Sequence, residues 1–130
     1  MLIKFYIDFV GTRPMEYKKI HDEIMNFDPK IRMVTICDLD GKIMHSEHRQ
    51  GITNLLTPDE SKRSLELAIK AWKTRSEIAS KIGRGKYVLA EYEKIKRITM
   101  PLDDNHLLYI TTEVEANHPR IIDGVRGLKT

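Results

Sequence analysis

The stretch from Thr57 to Gly83 constrains this chain most, because it reads as one long helix with clear signals at both ends and two apolar stripes. Thr57-Pro58-Asp59-Glu60 is a capping box, in which the threonine oxygen accepts from the Glu60 amide and the Glu60 side chain accepts from the threonine amide. Pro58 falls at the first helical position, where a missing N–H costs nothing. Gly83 supplies the left-handed residue that ends a helix. At about 100° per residue, Leu65, Ala68, Ile69, Trp72, Ser76 and Ala79 gather on one side, while Leu67, Ala71, Thr74 and Ile78 gather roughly opposite. Arg63, Glu66, Lys70, Lys73 and Glu77 lie between them. A surface helix needs one stripe to cover its own core. The wider stripe with Trp72 is the candidate for that. The narrower one is left for a second partner: a loop, another element of this chain, or another subunit.

A chain of 130 residues is the size of one domain with a real core, so residues 1–130 are expected to form a single domain. With 41% apolar and 32% charged residues, wholesale disorder is excluded. The one cysteine, Cys37, excludes an internal disulfide and a four-thiolate metal site, and fits a reducing compartment. A formal charge of +3 allows a basic patch without pointing to nucleic acid. No segment reaches the apolar length that spans a bilayer. Lys4 and Asp8 interrupt the apolar start where a signal peptide would be uniformly hydrophobic. The expected location is the cytoplasm.

Residues 2–10 alternate apolar and polar, which predicts an extra N-terminal strand within residues 1–13. Pro14 opens a helix carrying Tyr17, Ile20, Ile24 and Phe27, and Asp28-Pro29 closes it. The β-branched run Ile31 to Cys37 and the segment Lys42 to His48 form a hairpin around Asp38-Leu39-Asp40-Gly41, where Asp40 and Gly41 tolerate positive φ. After the long helix come strands at 86–92 and 95–100, with a turn near Glu93-Lys94. Pro101 to Asn105 is read as a turn, His106 to Glu113 as a strand, and Asn117-His118-Pro119 as the start of a helix with Ile121, Ile122, Val125 and Leu128 inward. All five prolines then fall at element boundaries. The order is α-β-β-α-β-β-β-α, an α+β sandwich with an antiparallel sheet of about five strands covered by helices.

The residues that could carry chemistry read as structural. The five histidines show no metal-binding spacing: His45 and His48 point to opposite faces of a strand, and His21, His106 and His118 stand apart. They are expected to be solvated surface residues, with no metal. Cys37 in its β-branched strand is expected to be a small buried hydrophobe, with His45 across the hairpin as its nearest candidate base. Asp38, Asp40, Asp103 and Asp104 lie in turns, where short acids bond the local backbone. No phosphate loop occurs, although Gly83-Arg84-Gly85-Lys86 offers backbone amides and two cations to an anion. Lys81, Arg84, Lys86, Lys94, Lys96 and Arg97 are the densest basic region, interleaved with Tyr87 and Tyr92. Arg84, Lys86, Lys94, Lys96 and Arg97 are the candidate anion-binding set. Strand alternation splits the cluster between faces, and lysines guarding a sheet edge explain it equally well.

Val34-Thr35-Ile36-Cys37-Asp38-Leu39-Asp40-Gly41-Lys42-Ile43, Arg84-Gly85-Lys86-Tyr87-Val88-Leu89 and Met100-Pro101-Leu102-Asp103-Asp104-Asn105-His106-Leu107-Leu108-Tyr109-Ile110, in this element order, resemble the roadblock type of domain. That domain is akin to the longin and profilin-like folds, and the resemblance covers residues 14–128. It implies a non-catalytic homodimer without a cofactor, a scaffold or regulatory module whose partner is another protein such as a small GTPase. Central helices pair in such dimers, and the strands after them join edge to edge. The implied interface is Leu67, Ala71, Thr74 and Ile78 with Tyr87 and Leu89. The extra N-terminal strand departs from the pattern. Two alternatives stand beside this reading: a profilin-like or PAS-like sensor holding a small molecule between sheet and helix, and a nucleic-acid binder using the basic hairpin. Against the sensor, Trp72 and the large aliphatics are expected to fill the core.

Overall fold

A computed structural model describes residues 16–128, so the expected N-terminal strand lies outside the described residues. The elements run α1 (Tyr17–Met25), β1 (Ile31–Asp38), β2 (Ile43–His48), α2 (Pro58–Ser76), α3 (Ala79–Ile82), β3 (Val88–Glu91), β4 (Lys96–Asp103), β5 (His106–Thr112) and α4 (His118–Leu128). All sheet pairings are antiparallel, in the order β2-β1-β5-β4-β3. This is the α+β sandwich expected.

Strand alternation builds two cores, one on each side of the sheet. Val34, Ile36, Ile98, Met100, Leu108 and Ile110 pack against Ile24 of α1 and Ile121, Ile122 and Val125 of α4. On the other side, Cys37, Leu107 and Tyr109 meet Leu65, Ile69 and Trp72 of α2. The wider stripe of the long helix therefore covers this chain's own sheet.

Local signals place several boundaries. The capping box forms in full: Glu60 N donates to Thr57 Oγ1 at 3.1 Å, and Thr57 N donates to Glu60 Oε1 at 2.9 Å. In the β1–β2 hairpin, the Asp38 carboxylate accepts from the amides of Asp40 and Lys42, both at 2.9 Å, and Gly41 has φ 92°. The Lys42 bond is the main reason that the Asp38 carboxyl sits below its ordinary pKa. At the α1–β1 corner, the half-buried Arg49 donates from Nε to Ile31 O at 2.7 Å and from Nη2 to Met25 O and Asp28 O at 2.9 and 3.0 Å.

Three boundaries differ from expectation. The long helix does not reach Gly83: α2 stops at Ser76, and a separate turn, α3, follows. Thr74 Oγ1 and Ser76 Oγ each donate to the carbonyl four residues back, at 3.0 Å, a back-bonding that bends helices. Glu77 N and Ile78 N then reach only three residues back, to Thr74 O and Arg75 O. Gly83 has φ 95° but ψ 167°, so it ends α3 in an extended conformation open to glycine and not in a left-handed turn. Pro101 lies inside β4, not in a turn. The last β3 partner on β4 is Thr99, so Pro101 sits where β4 has itself become a sheet edge, and a proline costs little there. Finally, β3 is shorter than the expected 86–92, spanning only Val88–Glu91.

Candidate interaction surface and cleft

The second stripe of the long helix is uncovered in this structure. Leu67 is 69% exposed and Ile78 50%, Thr74 is exposed, and Ala71 is half-buried. Ile78 stands in the break between α2 and α3, so it does not continue the helical row of Leu67, Ala71 and Thr74. Ile82, at 77%, extends the apolar exposure, and a periodicity that assumes one unbroken helix misses it. Tyr87 and Leu89 are also exposed, but they belong to the opposite side of the sheet. Leu89 pairs with Ile98, a residue of the α1–α4 core, while Val88 packs toward α2. The Arg126 guanidinium of α4 lies 5.6 Å from the Tyr87 ring centre. The two groups of candidate interface residues thus lie on opposite faces of the sheet.

The basic cluster is dispersed. Lys96 approaches Glu91 at 3.7 Å, and its charge helps depress the His118 pKa on the α4 side. Arg97, next in sequence, reaches α2, where Nη1 donates to Ser64 Oγ at 2.9 Å. Arg84 pairs with Asp104 at 3.1 Å, while Lys86 and Lys94 are exposed.

The histidines are not the solvated surface set expected. His21 is 4% exposed, His118 is nearly as buried, and His45 and His106 are half-buried. A bulge explains His45. Ile36 pairs with His45 and Cys37 with Ile43, which leaves Met44 as an extra residue. A bulge of this kind re-aims side chains. Met44 packs on the α1–α4 core, and the His45 ring lies 5.0 Å from that of His21 on α1. Among the described residues, His21, His45 and Glu47 bring three ligand atoms within 4.8 Å of one another. The group already satisfies itself. Glu47 Oε1 meets His45 Nε2 at 3.0 Å and Lys18 Nζ at 3.1 Å, and His21 Nδ1 meets Asp22 Oδ1 at 2.9 Å. Lys18 also donates to Asp22, so a cation would have to displace an ammonium that holds both carboxylates.

His118 donates from Nε2 to Thr112 Oγ1 at 2.8 Å, since the Thr112 hydroxyl is spent on Glu113 O. Burial holds its pKa below the ordinary value. Cys37 is fully buried on the α2 side, and burial, helped by Asp38, pushes its thiol up to about 11. The sheet separates it from His45, so no nucleophile–base pair forms.

The α2 layer is not fully filled. Between the 52–56 loop and the sheet lies a cleft of about 210 Å³, floored by Met33 of β1, Thr111 of β5 and Arg97 of β4. Leu55, Leu56 and Ser61 form one wall, and Tyr92 and Ile95 another. A neighbouring space of about 300 Å³ shares Met33, Leu56 and Arg97 and runs on toward Ile43 and Tyr109. The Arg97 guanidinium stands 5.4 Å from the Tyr92 ring centre and 5.5 Å from that of Tyr109, a doubly stacked cation. Among the described residues, Arg97 Nε and Thr111 Oγ1 are buried without a hydrogen-bond partner. Trp72 fills only the far end of α2. Three large apolar residues in the connecting loop, Ile52, Leu55 and Leu56, are the sequence signal that this loop roofs something.

No family profile and no curated protein matches the sequence. Solved structures do match in fold. A Roadblock/LC7 domain from Streptomyces avermitilis aligns over 89% of this chain and 92% of its own, at 13% identity and a TM-score of 0.68. The gliding protein MglB from Thermus thermophilus aligns over 89% and 87%, at 11% identity and a TM-score of 0.71. An MglB with a tetrameric arrangement aligns over 89% and 86%, at 12% identity and a TM-score of 0.71. The chain has the Roadblock/LC7 fold, as the sequence resemblance implies.

Proposed function

We propose that the chain is a non-catalytic homodimeric scaffold or regulatory module that binds another protein. One observation carries this reading: Leu67 stands mostly exposed on a helix whose other face is already buried on the sheet. The sheet geometry supports it. Strand β3 is the outermost strand, with no second strand partner among the described residues, so its outer backbone groups are open to pairing. A second copy joined edge to edge at β3 would bring two α2 helices together on one face and Tyr87 with Leu89 on the other. The interface is therefore Leu67, Ala71, Thr74 and Ile78 together with Tyr87 and Leu89. The tetrameric arrangement of one MglB of this fold supports self-association as the working state.

The partner class follows from resemblance to roadblock domains: a small GTPase, met in the cytoplasm. Among the described residues, no helix is long and apolar enough to cross a membrane. Nucleic acid is disfavoured as partner by the placement of Lys96 and Arg97 on opposite faces. The test is solution mass by light scattering. The wild type is expected to be a dimer, and Leu67→Asp a folded monomer with an unchanged circular-dichroism spectrum, because a charge would be forced into the dimer seam. A wild type that stays monomeric at high concentration overturns the proposal.

A further inference from the structure

We infer that the cleft beneath the 52–56 loop binds a small monocarboxylate with an apolar body, its carboxylate held by Arg97 and Thr111. This does not depend on the dimer. Arg97 and Thr111 are direct cross-strand partners on β4 and β5, which places their Cβ atoms about 5 Å apart. Both line the cleft, and Thr111 is only 7% exposed. Folded proteins rarely leave buried polar atoms unpaired. Here two of them, Thr111 Oγ1 and Arg97 Nε, belong to cross-strand neighbours that both line one opening. An Nε–H can only donate, and the threonine hydroxyl is free to donate as well. One acceptor group between them satisfies both.

Charge narrows the choice of acceptor. Arg32 at the same cleft is paired with Glu113 at 2.7 Å, whereas no carboxylate among the described residues pairs with Arg97. Its guanidinium lies between two tyrosine rings, which hold the fork in place and leave the charge for an anion. A carboxylate supplies one charge and two acceptor oxygens. A phosphate dianion would ask for more donors than this floor presents. Met33, Ile52, Leu55, Leu56 and Ile95 make most of the remaining wall apolar, with His48, Asn54 and Ser61 as polar members, so the body of the ligand is mainly hydrocarbon. The volume of about 210 Å³ sets its size. A cavity of roughly 150 Å³ accepts benzene, so an aryl or short alkyl acid fits.

The experiment titrates the intact protein with benzoate, phenylacetate and hexanoate, with benzamide and inorganic phosphate as controls, and follows backbone amide shifts by NMR. Saturable shifts are expected for the carboxylates, confined to the amides of the 52–56 loop and of Tyr92, Arg97 and Thr111. Benzamide and phosphate are expected to bind at least about tenfold more weakly. Thr111→Val keeps the shape and removes only the hydroxyl, so it should leave thermal stability unchanged or raise it while weakening benzoate binding about tenfold. Arg97→Lys, which keeps a charge but loses Nε, should weaken binding by a similar factor. The inference is overturned if no carboxylate gives saturable shifts or if benzamide matches benzoate. It is equally overturned if both variants bind as the wild type does.

Discussion

Removing the guanidinium of Arg49 should be among the most damaging changes available outside the two cores. Its side chain donates three hydrogen bonds to carbonyls of Met25, Asp28 and Ile31, which belong to the end of α1, the turn after it and the start of β1. Hydrogen bonds to a charged group contribute about 1.5–3 kcal/mol each. Arg49 is half-buried, so water can reach part of what Arg49→Met would leave unpaired. Counting about half of the three-bond total gives a loss of roughly 2–4 kcal/mol, against a whole-protein stability of about 5–15 kcal/mol. Urea unfolding followed by Trp72 fluorescence measures it. At a slope of about 2 kcal/mol per molar urea, the middle of the range for a small domain, the midpoint should fall by roughly 1–2 M. Arg49→Lys can satisfy fewer of the three acceptors and lacks the rigid fork, so it should recover only part of the loss. If Arg49→Met stays within about 0.5 kcal/mol of wild type, the range of an ordinary surface change, the three bonds contribute nothing and the account is wrong. If Arg49→Lys equals wild type, charge and not the fork is what matters.

At Gly124 in α4, an added Cβ would meet Phe27 ring atoms at 2.8 to 3.0 Å. Gly124→Ala gains about 1 kcal/mol of helix propensity but forces the half-buried Phe27 ring to move at about 1–3 kcal/mol, so a net loss of about 1 kcal/mol is expected by urea unfolding. Adding Phe27→Leu should restore the propensity gain, and independent effects of the two changes would refute the contact. Stability should also decline as pH drops below about 6.5. Burial lowers the folded His118 pKa, so the unfolded chain takes up a proton there that the folded one resists until its own lower pKa is reached. His118→Gln should flatten that slope in thermal melts between neutral and mildly acidic pH, and an unchanged slope would assign it to another group.

What is legible in the sequence is what is decided locally. Thr57, Pro58 and Glu60 specify the start of α2 within one turn, and Asp38 with Gly41 specifies a hairpin, so both appear where the residues say. The end of α2 is not legible. Thr74 and Ser76 fit a helical row by spacing, but their hydroxyls compete for backbone carbonyls, and that competition shows only in geometry. Pro101 reads as a turn and is not one, because whether a proline is tolerated in a strand depends on how far the neighbouring strand extends. His45 reads as solvated because its placement depends on a bulge at Met44 that no residue pattern announces. The cleft is a shortfall of packing between a loop and three strands, and Thr111 becomes informative only once Arg97 is known to stand beside it.

The division of the interior by the sheet has a consequence for how the molecule opens. The core beneath α1 and α4 is assembled without any residue of α2, which is anchored by its own contacts to Cys37, Leu107 and Tyr109. Opening free energies vary across a structure and fall lowest where buried apolar contacts are few. Helix α2 is therefore expected to open as a unit while the strands stay paired. Its amides should exchange with solvent hydrogen well before those of β5, which is covered by strands on both edges and packed on both faces.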